Sequence, residues 1–93
     1  MTNILDNLTD GELKVARILV QECLNGMGGK RPSDLDGDRF TWAWADSLLK
    51  HGYSKHETAG YWSSLEKKGV IFHNEGKEYV VNDEVWQAFD PIW

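Results

Sequence analysis

The 93-residue chain has one cysteine, Cys23, and two prolines. A single cysteine excludes an internal disulfide and fits a reducing cytoplasm. No apolar run is longer than four residues, far short of the roughly 18 that cross a bilayer. Met1 to Leu8 holds Asp6 and no Lys or Arg, so no secretory leader is expected. A basic excess is also missing. Ten Lys and Arg face fifteen Asp and Glu, for a net charge of −5, which argues against simple polyanion binding. No Ser-His-Asp or Cys-His set can be placed, and no carboxylate pair shares a face in a cleft, so the chain reads as a non-enzyme.

Metal and cofactor motifs are absent too. Asp34-Leu35-Asp36-Gly37-Asp38 has the acids of a calcium loop. Counted from Asp34, however, Gly37 is fourth and the twelfth residue is Ala45, where an EF-hand needs Gly sixth and Glu twelfth. Gly26-Met27-Gly28-Gly29-Lys30-Arg31 lacks P-loop spacing and the hydroxyl after Lys. Cys23, His51, His56 and His73 have no zinc spacing. No cofactor is expected.

What is present is an ordinary globular composition, 41% apolar and 27% charged, read as a single domain over residues 1–93. A chain this short buries only about 60–65% of its unfolded surface. Its five Trp, three Tyr and three Phe must therefore supply much of the core. Charge is uneven along the chain. Residues 1–40 sum to −2, residues 41–69 to +1 and residues 70–93 to −4.

Thr9 with Glu12 is a capping box and opens a first helix. Leu13, Ala16, Val20, Cys23 and Leu24 share one of its faces. Val15, Ile18 and Leu19 lie off that face, so the helix is expected to be covered twice. Gly26 reads as its stop. Residues 26–38 read as a loop and Arg39-Phe40 as a short extended piece. A second helix is predicted from Thr41, as cap, through Leu49 to His51, with Trp42, Ala45 and Leu49 on one face. His51 suits its C-terminal dipole, and Gly52 ends it.

Ser54 with Glu57 is a second capping box. A helix over Lys55–Lys68 follows, with Thr58, Trp62 and Leu65 on its buried face and Gly69 as stop. The two helices meet across about three residues, the spacing of a helix-turn-helix. Val70 to His73 and Glu78 to Val81, around Asn74-Glu75-Gly76-Lys77, read as a hairpin. Asp83 is the expected cap of a short helix carrying Val85, Trp86 and Phe89, and Pro91 ends it. Trp42 and Trp62 are expected in the core, with Trp44, Trp86 and Trp93 partly exposed. The tail Phe89 to Trp93 is the natural cover for the first helix; left exposed, it would suit self-association or docking.

The order helix, loop, helix, tight turn, helix, hairpin resembles a winged helix-turn-helix domain. The match is closest over Ser54 to Ile71, which looks like the reading helix and wing entrance of MarR-type regulators. There Ser54 opens the helix, Thr58 and Trp62 take the apolar positions, and Leu65-Glu66-Lys67-Lys68-Gly69-Val70-Ile71 leads into the wing. The chain departs from the family in having Gly60 where a Lys or Arg often sits. Its wing tip is net negative, and it lacks long dimerising helices at its ends. The resemblance implies an α+β winged helix-turn-helix fold with three main helices, a two- to three-stranded wing and a short C-terminal helix.

It also implies binding of double-stranded DNA by a small cytoplasmic regulator, as a homodimer. Ser54, Lys55, His56, Gly60, Ser63, Ser64 and Lys67 on the reading helix, with Lys77 in the wing, are the candidate contacts. A helix N-terminus beside Lys55 can meet a phosphate. His56, Ser63 and Ser64 can bond base edges, and Gly60 permits close backbone approach. Four lysines, Lys50, Lys55, Lys67 and Lys68, limit the log–log salt slope of a monomer to about −4. The alternative is an acidic winged-helix module or inhibitor that binds a protein partner. Glu75, Glu78, Asp83, Glu84 and Asp90 make the C-terminal third suited to a basic protein.

Overall fold

A computed structural model describes residues 3–35, 41–73 and 78–93. Among them the fold is α+β, with four α-helices and one three-stranded antiparallel sheet. The order is α1 (Asp10–Met27), β1 (Trp42–Ala43), α2 (Ala45–Lys50), α3 (Lys55–Lys67), β2 (Ile71–His73), β3 (Tyr79–Val81) and α4 (Asp83–Phe89). Single 3-10 turns lie at Ile4–Asn7, Pro32–Leu35 and Asp90–Ile92. No described helix is long and apolar enough to cross a membrane.

The first capping box forms as its residues dictate. Thr9 Oγ1 accepts from the Glu12 N–H at 3.2 Å, and Glu12 Oε1 accepts from the Thr9 N–H at 2.8 Å. The predicted stop at Gly26 is wrong by two residues. The helix runs through Gly26 and ends where Gly28 takes φ 77°, the left-handed conformation that spares a Cβ its clash. Val15, Ala16, Leu19, Val20, Cys23 and Leu24 are all buried. Two adjoining faces of α1 are thus covered, as the wide apolar arc requires.

The tail supplies much of that cover. Val85, Trp86 and Phe89 of α4 are buried, which corrects the expected exposure of Trp86. The Trp86 Nε1–H donates to Asp83 Oδ1 at 3.2 Å, so the indole hides its ring and satisfies its polar end. Asn82, not Asp83, caps α4: its Oδ1 accepts from the Glu84 N–H at 3.0 Å, and its Nδ2 donates to the Gly69 carbonyl at 2.9 Å. Arg17 lies 4.4 Å over the Trp93 ring and donates to the Trp93 carbonyl at 3.1 Å. Arg31 Nε donates to Asp90 Oδ1 at 3.0 Å, and Arg31 Nη2 to Oδ2 at 3.1 Å. The Ser33 N–H donates to Asp90 Oδ1 at 2.9 Å.

The second helix differs most from the sequence reading. Thr41 is no cap and Trp42 no helix residue. Trp42 and Ala43 form β1 and pair with Val80 and Tyr79 of β3, while the Val81 N–H donates to the Thr41 carbonyl at 2.8 Å. Sheet pairing overrides the weak local helix preference of Trp-Ala-Trp-Ala. α2 keeps six residues and starts after Trp44, whose side chain makes no capping bond. The predicted extended piece at Arg39-Phe40 lies outside the described residues.

β3 is the central strand, in the order β1-β3-β2. Trp42, Val80 and Phe72 stand opposite one another across the sheet. Ile71, Val81 and Ala43, at the alternate positions, are buried. The row Trp42–Val80–Phe72 thus forms the outer face, where an antiparallel sheet ordinarily turns polar side chains to water. The pairing of β2 with β3 matches the predicted hairpin at its strands.

Candidate nucleic-acid interface

α3 is placed by its two ends. At its start, Ser54 Oγ accepts from the Glu57 N–H at 3.0 Å, and Glu57 Oε1 accepts from the Ser54 N–H at 2.9 Å. The Ser54 backbone N–H, and after it the Ser54 hydroxyl, holds the Glu57 carboxyl below its ordinary pKa. Before it, Gly52 at φ 92° lets the Tyr53 N–H reach back to the Leu48 carbonyl at 3.1 Å, closing α2 and turning the chain. Tyr53 packs edge-on against Tyr61, with ring centroids 5.7 Å apart. After α3, Gly69 takes φ 78°. The Val70 N–H then donates to the Leu65 carbonyl at 2.9 Å, which aims the chain into β2.

The inward face is anchored by Thr58 and Leu65, both buried. Trp62 is half-buried rather than a core residue. Its indole meets Tyr79 edge-on at 5.4 Å. Desolvation, and after it the Glu66 carboxylate, push the Tyr79 phenol up. Trp42 is likewise half-buried, and Trp44 is 54% exposed.

The outward face carries His56, Gly60, Ser63 and Lys67, all exposed. They stand at i, i+4, i+7 and i+11, one stripe along a helix of 3.6 residues per turn. No carboxylate falls on that stripe. The other candidates lie elsewhere. Ser64 is half-buried on the flank beside Glu57 and Tyr61. Lys55 is exposed on the opposite flank, level with Glu66. The Ser54 hydroxyl is used by the cap. Lys77 lies outside the described residues.

One further cation is committed within the fold. Lys68 Nζ donates to Glu12 Oε1 at 2.6 Å and to the Asn7 carbonyl at 2.9 Å. The Lys68 bond, then the Thr9 backbone N–H, holds buried Glu12 below the usual carboxylate range. Three lysines of the middle region, Lys50, Lys55 and Lys67, stay exposed and can meet phosphates. His51, at the end of α2, bonds Glu22 at 3.3 Å.

Beside the stripe runs a feature that the sequence reading missed. α2 and α3 leave between them a groove of about 380 Å³, with Ala45, Leu49, Ala59 and Trp62 as its apolar wall and Lys55 and Glu66 at its margins. Leu49 is 39% and Phe72 48% exposed. The strand β1 was missed as well, and its signal was a period of two: Thr41 and Ala43 are buried while Trp42 and Trp44 are not, a strand's alternation inside an expected helix. The chain matches no family model, no curated protein and no solved structure.

Proposed function

We propose that the chain is a winged helix-turn-helix domain that reads duplex DNA with α3, acts as a small transcriptional regulator and catalyses no reaction. The supporting layout is a three-helix unit with a small antiparallel sheet, of which β2 and β3 follow α3 and β1 precedes α2. The observation that carries the reading is the stripe His56–Gly60–Ser63–Lys67. It is exposed, free of carboxylates and borne by a helix whose opposite side is anchored in the core. A helix with small side chains outward enters a major groove about 12 Å wide. Lys50, Lys55 and Lys67 neutralise phosphates, and the capped start of α3 turns backbone N–H groups outward.

With Lys68 bound to Glu12, the salt slope of a monomer falls to about −3. Fluorescence anisotropy against a pool of random duplexes, from about 50 to about 200 mM salt, measures it. Lys55→Ala and Lys67→Ala each weaken binding uniformly across sequences and flatten the slope by about one. Unchanged binding in both variants removes α3 from the contact surface.

A specific observation favours a second reading, a protein-binding module. The α2–α3 groove and the aromatic row on the sheet expose apolar side chains of the kind found in the centre of protein interfaces. The acidic C-terminal third supports it less than its composition suggests, because Asp90 is engaged by Arg31 and Ser33.

A further inference from the structure

We propose that the α2–α3 groove is closed by the same groove of a second copy, with the two α3 helices antiparallel and Lys55 of each chain against Glu66 of the other. The residues that α3 contributes to the groove are Lys55, Thr58, Ala59, Trp62, Ser63 and Glu66. They form a self-complementary series. A two-fold axis passing between residues 60 and 61 pairs position 55 with 66, 58 with 63 and 59 with 62. An isologous contact requires that the same surface serve both partners, each residue meeting its counterpart in both directions. Here the outer pairs join opposite charges. The central pairs set the Trp62 indole into the space left by Ala59.

No described residue fills that space. Leu49 on the α2 wall is 39% exposed. A net charge of −5 per chain opposes dimerisation at long range. The two Lys55–Glu66 pairs supply the short-range complementarity that fixes the register.

The dimer bears on the DNA reading and rests on it for its consequence. A helix with its side chains is about 10–12 Å across, and the major groove is about 12 Å wide. One α3 fits; two side by side do not. Self-association through this face therefore competes with DNA, and the monomer is the DNA-reading form.

Sedimentation velocity without DNA, on the full chain from about 10 μM to about 1 mM, tests the dimer apart from DNA binding. Wild type is expected to pass from monomer to dimer over this range. Lys55→Glu and Glu66→Lys each place like charges at both ends and raise the dimer dissociation constant about tenfold. The double variant Lys55→Glu with Glu66→Lys restores opposite charges and returns the constant to near the wild-type value. Circular dichroism confirms that all three remain folded. A wild type that is monomeric throughout leaves the groove to a different protein and overturns the proposal. Single variants that dimerise like wild type, or a double variant that fails to recover, overturn it as well. If the dimer forms but DNA is not bound, the self-association stands and the DNA reading fails.

Discussion

The α1–α4 side and the α2–α3 side of the molecule use similar residues to opposite ends. On the first, Phe89 is 1% exposed and Trp93 meets Phe89 edge-on with Arg17 over its ring. On the second, Leu49 is 39% exposed and Trp44, just before α2, 54% exposed. Burying apolar surface yields about 25 cal/mol per Å², so a marginally stable domain forgoes stability by leaving these groups outside. The closed side explains why the chain folds. The open side is where it has surface left to offer a partner.

The largest expected effect probes this contrast directly. Phe89→Ala removes a fully buried ring and is expected to lower stability by about 3–5 kcal/mol. Trp44→Ala removes an indole that caps nothing and is expected to change stability by less than about 0.5 kcal/mol. Urea denaturation of both variants measures the two numbers on one scale. A loss above about 2 kcal/mol at Trp44 would make it a core residue and erase the distinction between the sides.

Next in size is the contrast between the two capping boxes, one motif in two settings. Glu12 is buried and bonded to Lys68, while Glu57 is exposed and bonds Ser54 alone. Glu12→Gln leaves the Lys68 ammonium without its carboxylate and is expected to cost about 1–3 kcal/mol at neutral pH. Glu57→Gln, at a fully exposed carboxylate, should cost far less. The pH dependence carries the same asymmetry. Folding lowers the Glu12 pKa from its ordinary 4.5, so the unfolded chain holds the proton more tightly. The stabilisation is complete above the unfolded value and is lost as pH falls through the lower, folded value. Stability of wild type should therefore decline below about pH 4.5, and Glu12→Gln should soften that decline more than Glu57→Gln. Equal softening by both would show that the Lys68 bond adds nothing.

What was legible in the sequence tracks what is decided locally. Thr9 with Glu12, Ser54 with Glu57, and the glycines at 52 and 69 act within one turn of chain, and each was read correctly. Positions 56, 60, 63 and 67 of the outward face were legible because helical period alone sets them, whereas Ser64, counted with them, lies half-buried on a flank. The errors lie where a distant partner decides. Trp42-Ala43 becomes a strand because β3, nearly 40 residues on, supplies its hydrogen bonds. Trp86 is buried because Asp83 satisfies its N–H and α1 lies beneath. Lys68 was counted among the lysines free to meet phosphates, yet its ammonium reaches back to Glu12 and Asn7. The groove belongs to the same class, since Leu49 lies on an apolar helical face that α3 only partly covers.

The smallest effect separates helix stability from function at one residue. Gly60 lies inside α3 with φ in the helical range, and a Cβ built there meets nothing within 4 Å. Gly60→Ala should therefore stabilise the fold by about 0.5–1 kcal/mol through the restricted unfolded chain, a rise of a few degrees in Tm for a domain this small. The stability gain sets the expectation for binding. A helix whose stripe faces solvent would leave DNA binding unchanged. A face that meets DNA at its backbone would instead lose affinity as the added methyl holds the two apart. A higher Tm with weaker duplex binding, measured by scanning calorimetry and anisotropy on the same sample, is the outcome expected of a reading helix. A higher Tm with unchanged binding would assign the stripe to solvent.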